Sequence, residues 1–133
     1  MKVSATILKK LPKVELHCHL DGSLRPETIV SLAEKNGVLL PTKNATDLKK
    51  ILSIGDNGVS LEEYINRFQI TLSVLQTPES LERTAFELIE DVAKENVRYI
   101  EVRYSPVLHT KRGMTPEESI EAVQKGLKKG KNV

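Results

Sequence analysis

Apolar side chains recur at helical spacing in four stretches of the chain, which predicts four amphipathic helices. These stretches are residues 26–36, 60–75, 77–95 and the segment from 115 onward. Three of them begin with a proline in the first turn, where its missing N–H breaks no helical hydrogen bond. Ser60 opens the remaining one with a Ser-x-x-Glu capping box. A shorter helix is expected at 44–52, with Asn44 or Thr46 as its N-cap.

Two further segments predict strands. Residues 97–104 alternate between two faces, neither of them purely apolar, so both faces are expected to contact other parts of the protein. The other predicted strand is 14–19, in which the apolar Val14 and Leu16 lead into a polar cluster, and Pro12 is expected to end any helix before it. The order strand, four helices, strand, helix favours an α/β fold with two parallel strands and a helical insertion between them.

The polar cluster at the end of the first strand contains the candidate chemistry. Side chains at i and i+2 of a strand point to the same face, so His17 and His19 would share one face and Cys18 the other. Cys18 is then expected to be a small packed residue. Two neutral imidazoles on one rigid face are good ligands for Zn²⁺, and Asp21 and Gly22 would place a carboxylate and exposed backbone beside the metal. The alternative is that both histidines are ordinary surface or core residues.

Two longer strings carry a family resemblance. KVELHCHLDGSLRPETI, residues 13–29, and EVRYSP, residues 101–106, resemble the first-strand and second-strand signatures of the adenosine deaminase family, which are zinc hydrolases built on a TIM (β/α)8 barrel. A TIM barrel needs about 250 residues. The resemblance therefore implies that residues 1–133 are the N-terminal, incomplete part of one barrel domain.

The resemblance also implies roles for residues of the first motif. His17 and His19 would bind Zn²⁺, Asp21 would bind the sugar of a nucleoside, and Gly22 would lie beside it. Related adenine deaminases tend to have Glu at the position of Asp21, and the methyl-AMP deaminase-like branch tends to have Asn. Asp21 therefore favours a nucleoside as the substrate.

The helix that starts at Ser60 and the end of the second strand have further implied roles. In the family, the segment that corresponds to this helix forms an apolar wall or lid over the purine pocket. Leu61, Tyr64 and Phe68 are the candidates for purine contact, and packing on the core is the alternative for each of them. Ser105 falls at the carboxyl end of the second strand, where TIM-barrel enzymes place active-site groups, so it is a further candidate for substrate binding.

The implied reaction is hydrolytic deamination of adenosine or deoxyadenosine to the inosine nucleoside and ammonia, a step of purine salvage. In such a reaction the metal lowers the pKa of the water that attacks the purine carbon bearing the amino group. The chain has no segment like the family's second histidine motif or its aspartate motif, so the catalytic residues and the other metal ligands are expected downstream of Val133. His109 is a weaker candidate for a third ligand, because nothing in the family pattern supports it.

Composition narrows the class of protein. The 133 residues are 39% hydrophobic and 29% charged with a net charge of +2, which is typical of a globular protein and does not indicate a nucleic-acid or membrane partner. No apolar run approaches the ~20 residues that span a bilayer. The first twelve residues lack the features of a signal peptide, and one cysteine cannot form an internal disulfide. We therefore expect a cytoplasmic protein.

Two functional hypotheses remain open from the sequence. In the first, the chain supplies two metal ligands and part of the substrate pocket of a zinc-dependent deaminase, and the isolated 133 residues have little or no activity. In the second, the chain is an inactive fragment or an assembly partner. A partial barrel leaves strand edges unpaired, which favours self-association.

Overall fold

The computed structural model describes residues 4–53 and 60–131, without the side chains of residues 61, 63 and 64. The helices and strands in chain order are α1 (Ala5–Lys10), β1 (Lys13–His19), α2 (Pro26–Asn36), α3 (Ala45–Leu52), α4 (Leu61–Val74), α5 (Pro78–Lys94), β2 (Val97–Arg103) and α6 (Pro116–Gly130). A 3₁₀ turn follows each strand, Leu20–Gly22 after β1 and Pro106–His109 after β2. The predicted order of elements is confirmed, with α1 as a short helix that ends just before Pro12.

Local capping explains where the helices begin. Proline occupies the first turn of α2, α5 and α6. Thr115 accepts from the backbone N–H of Glu118, whose side chain accepts in return from the Thr115 N–H. The N-cap of α3 is Asn44, which accepts from the N–H of Asp47, and not the alternative Thr46. The capping box predicted from Ser60 depends on the Glu63 side chain, which lies outside the described residues.

The two strands pair in parallel, as the sequence predicts, in a register from Lys13 opposite Val97 to His19 opposite Arg103. Between Glu15 and Cys18 the register shifts, because β1 passes three positions along this stretch while β2 passes from Ile100 to Val102. Helices α2 to α5 all lie between β1 and β2 in the chain, so the helical insertion is confirmed.

The core lies between one face of this sheet and the helices. Its members with no exposed surface are Leu20, Ile29, Leu48, Val74, Leu75, Leu81 and Ala85. Ile100 and Val102 of β2 and Tyr104, which follows it, pack against the core, and Cys18 packs against it from β1 as predicted. The opposite face of β2 is polar, since the Tyr99 hydroxyl donates to Glu101 at 3.0 Å. The Tyr99–Glu101 contact lies within β2 itself, and Tyr99 is 53% exposed, so contact of this face with other parts of the protein stays a prediction.

Helices α5 and α6 approach closely because α6 carries glycines at the contact. A Cβ added to Gly130 would lie 2.5 Å from the Cβ of Ile89, a separation that two carbon atoms cannot occupy without displacing one helix. Lys125 pairs with Glu82 across the same contact at 2.8 Å.

An ion-pair network fixes the segment that follows the histidine motif. Arg25, at the N-cap of α2, donates to Asp91 at 2.6 and 2.8 Å and to Glu90 at 3.0 Å. The Arg25 guanidinium lowers the pKa of the Asp91 carboxyl, and hydrogen bonding to Asp91 raises the pKa of Arg25. The chain that leaves the 3₁₀ turn Leu20–Gly22 is thereby held against α5. Within the described part of the chain, no helix has the length and apolar character needed to cross a membrane.

Candidate functional site

The two histidines of the motif converge at the carboxyl end of β1. Their Nε2 atoms lie 3.1 Å apart and their ring centroids 5.1 Å apart, with 37° between the ring planes. Both side chains therefore share one face, as their spacing predicts. Both residues are exposed, so solvent or a ligand can reach the two nitrogens.

This geometry fits a zinc ion. Zn–N bonds of about 2.0–2.1 Å in tetrahedral geometry place two donor nitrogens about 3.3–3.4 Å apart, close to the 3.1 Å between the Nε2 atoms of His17 and His19. Among residues 4–53 and 60–131, no group of three or more His, Cys, Asp or Glu side chains could hold a metal ion. The described chain thus offers two converging imidazole ligands and no third one beside them.

Asp21 lies behind the pair, in the 3₁₀ turn Leu20–Gly22. It is 6% exposed, and its Oδ1 is 3.6 Å from Nδ1 of His19. A carboxylate beside the second ring nitrogen of a metal-binding histidine orients the ring and raises the basicity of the ligand. The Oδ1 atom has no hydrogen-bond partner among the described residues.

The histidines and Asp21 open onto a cavity of about 570 Å³. The 3₁₀ turn after β1 forms one wall, α3 contributes Lys49 and Leu52, and α4 contributes Phe68 and Thr71. A volume in this range is typical of sites for small molecules. The described part of the chain therefore forms a pocket beside the candidate metal ligands.

Gly22 and Phe68 meet inside this pocket. A Cβ added to Gly22 would lie 3.4 Å from Cε1 of Phe68 and 3.8 Å from the Cβ of His19. Such a Cβ would be at ordinary contact distance, so the ring of Phe68 packs directly against the turn that carries Asp21. The structure brings together five of the residues that the family resemblance selects, namely His17, His19, Asp21, Gly22 and, from α4, Phe68.

The other candidates are placed differently. Leu61 and Tyr64 lie in α4, but their side chains are outside the described part of the structure, so their purine contact stays a prediction. Ser105 follows β2, and its carbonyl accepts from the N–H of Leu108 at 3.0 Å. It is not among the described residues that line the cavity. A position at the carboxyl end of a strand is therefore not sufficient to place a side chain in this pocket.

The cavity is also lined by residues that no pattern in the sequence selects, among them Lys49, Leu52, Arg67 and Thr71. Their positions on α3 and α4 follow from how the helical insertion folds back over the end of β1, which no local pattern reveals. Arg67 illustrates this, because its guanidinium donates to the carbonyl of Ser53 at 2.5 Å. The contact joins the helix α4 to the end of α3 next to the pocket.

His109 is buried instead of joining the histidine pair. It has no exposed surface, its Nδ1 lies 2.8 Å from the carbonyl oxygen of Leu75, and its ring centroid is 5.6 Å from that of Tyr104. Burial lowers the pKa of His109 below its ordinary value, against the raising effects of the Leu75 carbonyl and the Asp21 charge. His109 does not line the pocket with His17 and His19, so the structure gives no support to its use as a third ligand.

Comparison with known proteins gives consistent matches. The sequence model of the adenosine deaminase family matches residues 12–133. An adenosine deaminase from Clostridium perfringens (strain SM101 / Type A) is 54% identical over 122 residues, which cover 92% of this chain and 37% of that protein. The chain therefore spans a little more than a third of the length of the curated relatives that it matches.

Solved structures show the same relationship. An amidohydrolase from Burkholderia ambifaria with bound Zn superposes with a TM-score of 0.83 at 27% identity, covering 99% of this chain and 36% of that one. An adenine deaminase from Arthrobacter aurescens superposes with a TM-score of 0.77 at 30% identity, covering 91% of this chain and 36% of that one. The two parallel strands with their helices are thus the corresponding portion of a TIM barrel.

Proposed function

Since this chain belongs to the adenosine deaminase family, we propose that it supplies the first two metal ligands and part of the substrate pocket of a zinc-dependent hydrolase that deaminates adenosine or deoxyadenosine. The overall reaction consumes one water and releases one ammonia for each inosine nucleoside formed. The observation that carries the proposal is the 3.1 Å separation of the His17 and His19 Nε2 atoms at the mouth of a pocket.

In this proposal, His17 and His19 hold the metal ion through their Nε2 atoms. A bound Zn²⁺ would lower the pKa of the attacking water and supply positive charge near the reacting carbon. His17 and His19 must be neutral to bind the metal through Nε2, and a proton on Nδ1 of His19 then faces Asp21 Oδ1 at 3.6 Å. At 3.6 Å the two atoms make no hydrogen bond, and we propose that the side chains close to hydrogen-bond distance when the metal binds, which would favour the tautomer of His19 that leaves Nε2 free.

The side chains that line the pocket suit the base and the sugar of a nucleoside. Phe68 offers an apolar ring for a purine base, and that ring lies against the turn at Gly22. Asp21 is a buried acceptor that can take a hydrogen bond from a sugar hydroxyl, which rewards a ribose or deoxyribose over a bare base. A nucleoside whose base contacts Phe68 and whose sugar contacts Asp21 would lie across the mouth of the histidine pair.

The proton donor to the purine ring and the remaining ligands are assigned to residues downstream of this chain. Two imidazoles alone bind zinc weakly compared with the three or four protein ligands of zinc sites in enzymes. The isolated chain is therefore expected to have little or no activity, and the complete active site is proposed to form when the rest of the barrel is present.

The experiment uses the full-length natural polypeptide with His17→Ala or His19→Ala. Each substitution is expected to remove most of the bound zinc, measured by metal analysis, and most of the adenosine turnover, measured by ammonia release. Leu39→Ala is the control, because Leu39 is 98% exposed, lies outside the two strands, and does not line the pocket. Full zinc content and turnover in either histidine variant would contradict the proposal.

The assembly hypothesis is favoured by one separate observation. Val14, Leu16 and Tyr99 are large apolar or aromatic side chains exposed on the two strands. We propose that these strands are covered by further strands or by a second copy of the chain. Sedimentation of the isolated 133 residues tests this, since a strictly monomeric species across a wide concentration range would exclude the second copy.

A further inference from the structure

The backbone of the two candidate metal ligands is hydrogen-bonded by side chains on either side of the pair. The backbone N–H of His17 donates to Oε1 of Glu15 at 3.1 Å. The carbonyl oxygen of His19 accepts from Oγ of Ser23 at 2.6 Å. Glu15 and Ser23 both line the same cavity as the histidines, and neither has a role in the proposed function so far.

Glu15 makes its contact where the two strands lose their regular register. Glu15 lies opposite Ile100, and the next residue of β1 in register is Cys18, opposite Val102. His17 therefore lies in the stretch where β1 carries one residue more than β2. An extra residue disrupts the ladder of backbone hydrogen bonds around it. A side chain that accepts from the N–H two residues further on provides a local acceptor there, which holds the backbone of His17 in place.

Ser23 holds the backbone after the second ligand. A carbonyl oxygen can only accept, so the Ser23 hydroxyl is the donor in its contact with His19. Its oxygen can still accept, and Sγ of Cys18 lies 3.4 Å away, so the thiol is the donor of that second contact. The backbone N–H of Ser23 donates to the carbonyl of Leu20 at 3.1 Å. Ser23 thus joins the end of β1 to the 3₁₀ turn that carries Asp21.

We propose that Glu15 and Ser23 are positioning residues for the metal ligands: by fixing the backbone of His17 and His19, they hold the two Nε2 atoms in convergence before a metal arrives. The 3.1 Å between these atoms is already close to the spacing that zinc imposes on two nitrogen ligands. A preorganised pair loses less conformational freedom on binding, which strengthens the affinity for the metal.

Glu15 acts through His17 and not as a third ligand. Its carboxyl oxygen contacts the backbone of His17, and within the described ranges no three His, Cys, Asp or Glu side chains are grouped so that they could hold a metal ion. The consequence for zinc rests on the proposed function, which assigns the metal to His17 and His19. The two backbone contacts themselves do not depend on it.

Two pairs of substitutions separate these hydrogen bonds from the effects of charge and bulk. Glu15→Gln keeps a side-chain oxygen that can accept from the His17 N–H and removes the carboxyl group, whereas Glu15→Ala removes the acceptor as well. Ser23→Thr keeps the hydroxyl donor, and Ser23→Ala removes it. Glu34→Ala is the control for loss of a carboxyl group, because Glu34 is exposed on α2 and is not among the described residues that line the cavity.

Zinc affinity is measured in the full-length polypeptide by competition with a chelator. Glu15→Ala and Ser23→Ala are each expected to weaken zinc binding about fivefold, the equivalent of one hydrogen bond. Glu15→Gln and Ser23→Thr are expected to stay within about twofold of the wild type. Unchanged affinity in either alanine variant, or no recovery in the matching conservative variant, would overturn the role of that residue. Equal weakening in Glu34→Ala would overturn both.

Amide hydrogen exchange of the metal-free polypeptide is independent of zinc and of activity. The His17 amide is expected to exchange about fivefold faster in Glu15→Ala than in the wild type and to recover in Glu15→Gln, while the amides of α5 and α6 keep their wild-type rates. Faster exchange in those helices as well would indicate a general loss of stability and overturn the positioning role.

Failure of this inference and failure of the proposed function give different results. A wild-type polypeptide that neither binds zinc nor turns over adenosine would contradict the proposed function. Equal exchange of the His17 amide in the wild type and in Glu15→Ala, in a polypeptide that does bind zinc, would contradict the role of Glu15 alone.

Discussion

The carboxyl ends of the two strands carry the same chemical group in opposite surroundings. At the end of β1, His17 and His19 are exposed and their Nε2 atoms converge to 3.1 Å. In the turn after β2, His109 has no exposed surface, and its Nδ1 is hydrogen-bonded to the backbone carbonyl of Leu75. An imidazole is therefore a candidate metal ligand where a ring nitrogen is open to solvent, as in His17 and His19, and has a structural role where it is buried and hydrogen-bonded to the backbone, as in His109.

The largest effect is expected when the exposed histidines at the end of β1 are replaced in the full-length polypeptide. Removing both histidines, His17→Ala with His19→Ala, should cost no more activity than removing either one, because the two ligands act as one unit. Each variant should lose several kcal/mol of transition-state stabilisation, about a thousandfold in kcat/KM. Rates of ammonia release in the two single variants and the double variant check this. Losses that multiply in the double variant would show that the two histidines act separately.

The next effect is on the free energy of unfolding, which should respond differently to substitutions after β2 and at the end of β1. His109→Leu should destabilise the protein by about 1–3 kcal/mol, because it leaves the buried Leu75 carbonyl without its donor. His17→Leu, on the exposed face, should change the free energy of unfolding of the metal-free protein by less than about 0.5 kcal/mol. Urea unfolding of both variants in the presence of a chelator checks the contrast, and equal losses would contradict it.

A smaller effect is expected from pH. The pKa of His109 is lowered in the folded state, so the unfolded chain binds a proton more readily than the folded chain below about pH 6.5. This contribution to stability is present above that pH and is lost as the pH falls toward the folded pKa. Wild-type unfolding free energy should therefore decline as the pH falls from about 6.5, and the decline should be shallower in His109→Asn.

Carboxylates provide the control for this pH profile. Arg25 lowers the pKa of Asp91, and Lys125 and Lys129 lower that of Glu82, so the stability that these pairs add is present above the ordinary carboxyl pKa values and is lost only at more acidic pH. The profiles of wild type and His109→Asn should therefore converge in shape below about pH 4. Identical slopes between pH 5 and 6.5 would show that His109 is not buried in the neutral form.

The smallest effect is expected from Gly22→Ala inside the pocket. Gly22→Ala should change stability by less than about 0.5 kcal/mol and KM for adenosine by less than about threefold, because a Cβ there would lie 3.4 Å from Phe68, an ordinary contact distance. Gly130→Ala is the matched contrast, since the added Cβ would lie 2.5 Å from Ile89 and should destabilise by about 1–3 kcal/mol. Chemical unfolding of both variants measures the difference.

Most helices and both strands could be predicted because they depend on residues that are close together in the sequence. Prolines at the first turns, the Thr115 capping box and the alternation of β2 act over a few residues, so helices α2 to α6 and both strands follow from the sequence, whereas α1 was not predicted. The shared face of His17 and His19 follows from strand periodicity alone.

Tertiary folding explains what could not be predicted. Lys49 and Thr71 line the pocket because α3 and α4 fold back over the end of β1, and Ser105 lies outside it although it follows a strand. His109 carries no local mark of burial, and its partner Leu75 is distant in sequence. The family resemblance selects Phe68, while its contact with Gly22 depends on the packing of α4 against the turn.

The register shift in β1 has a consequence for protein design. β1 carries one extra residue between Glu15 and Cys18, and the regular pairing of Cys18 with Val102 and of His19 with Arg103 begins after it. Because a shift of one residue moves side chains to the other face of a strand, the extra residue sets which face the two histidines occupy relative to the start of β1. A graft of residues 13–19 that omits the extra residue should therefore turn both histidines to the opposite face of the new strand.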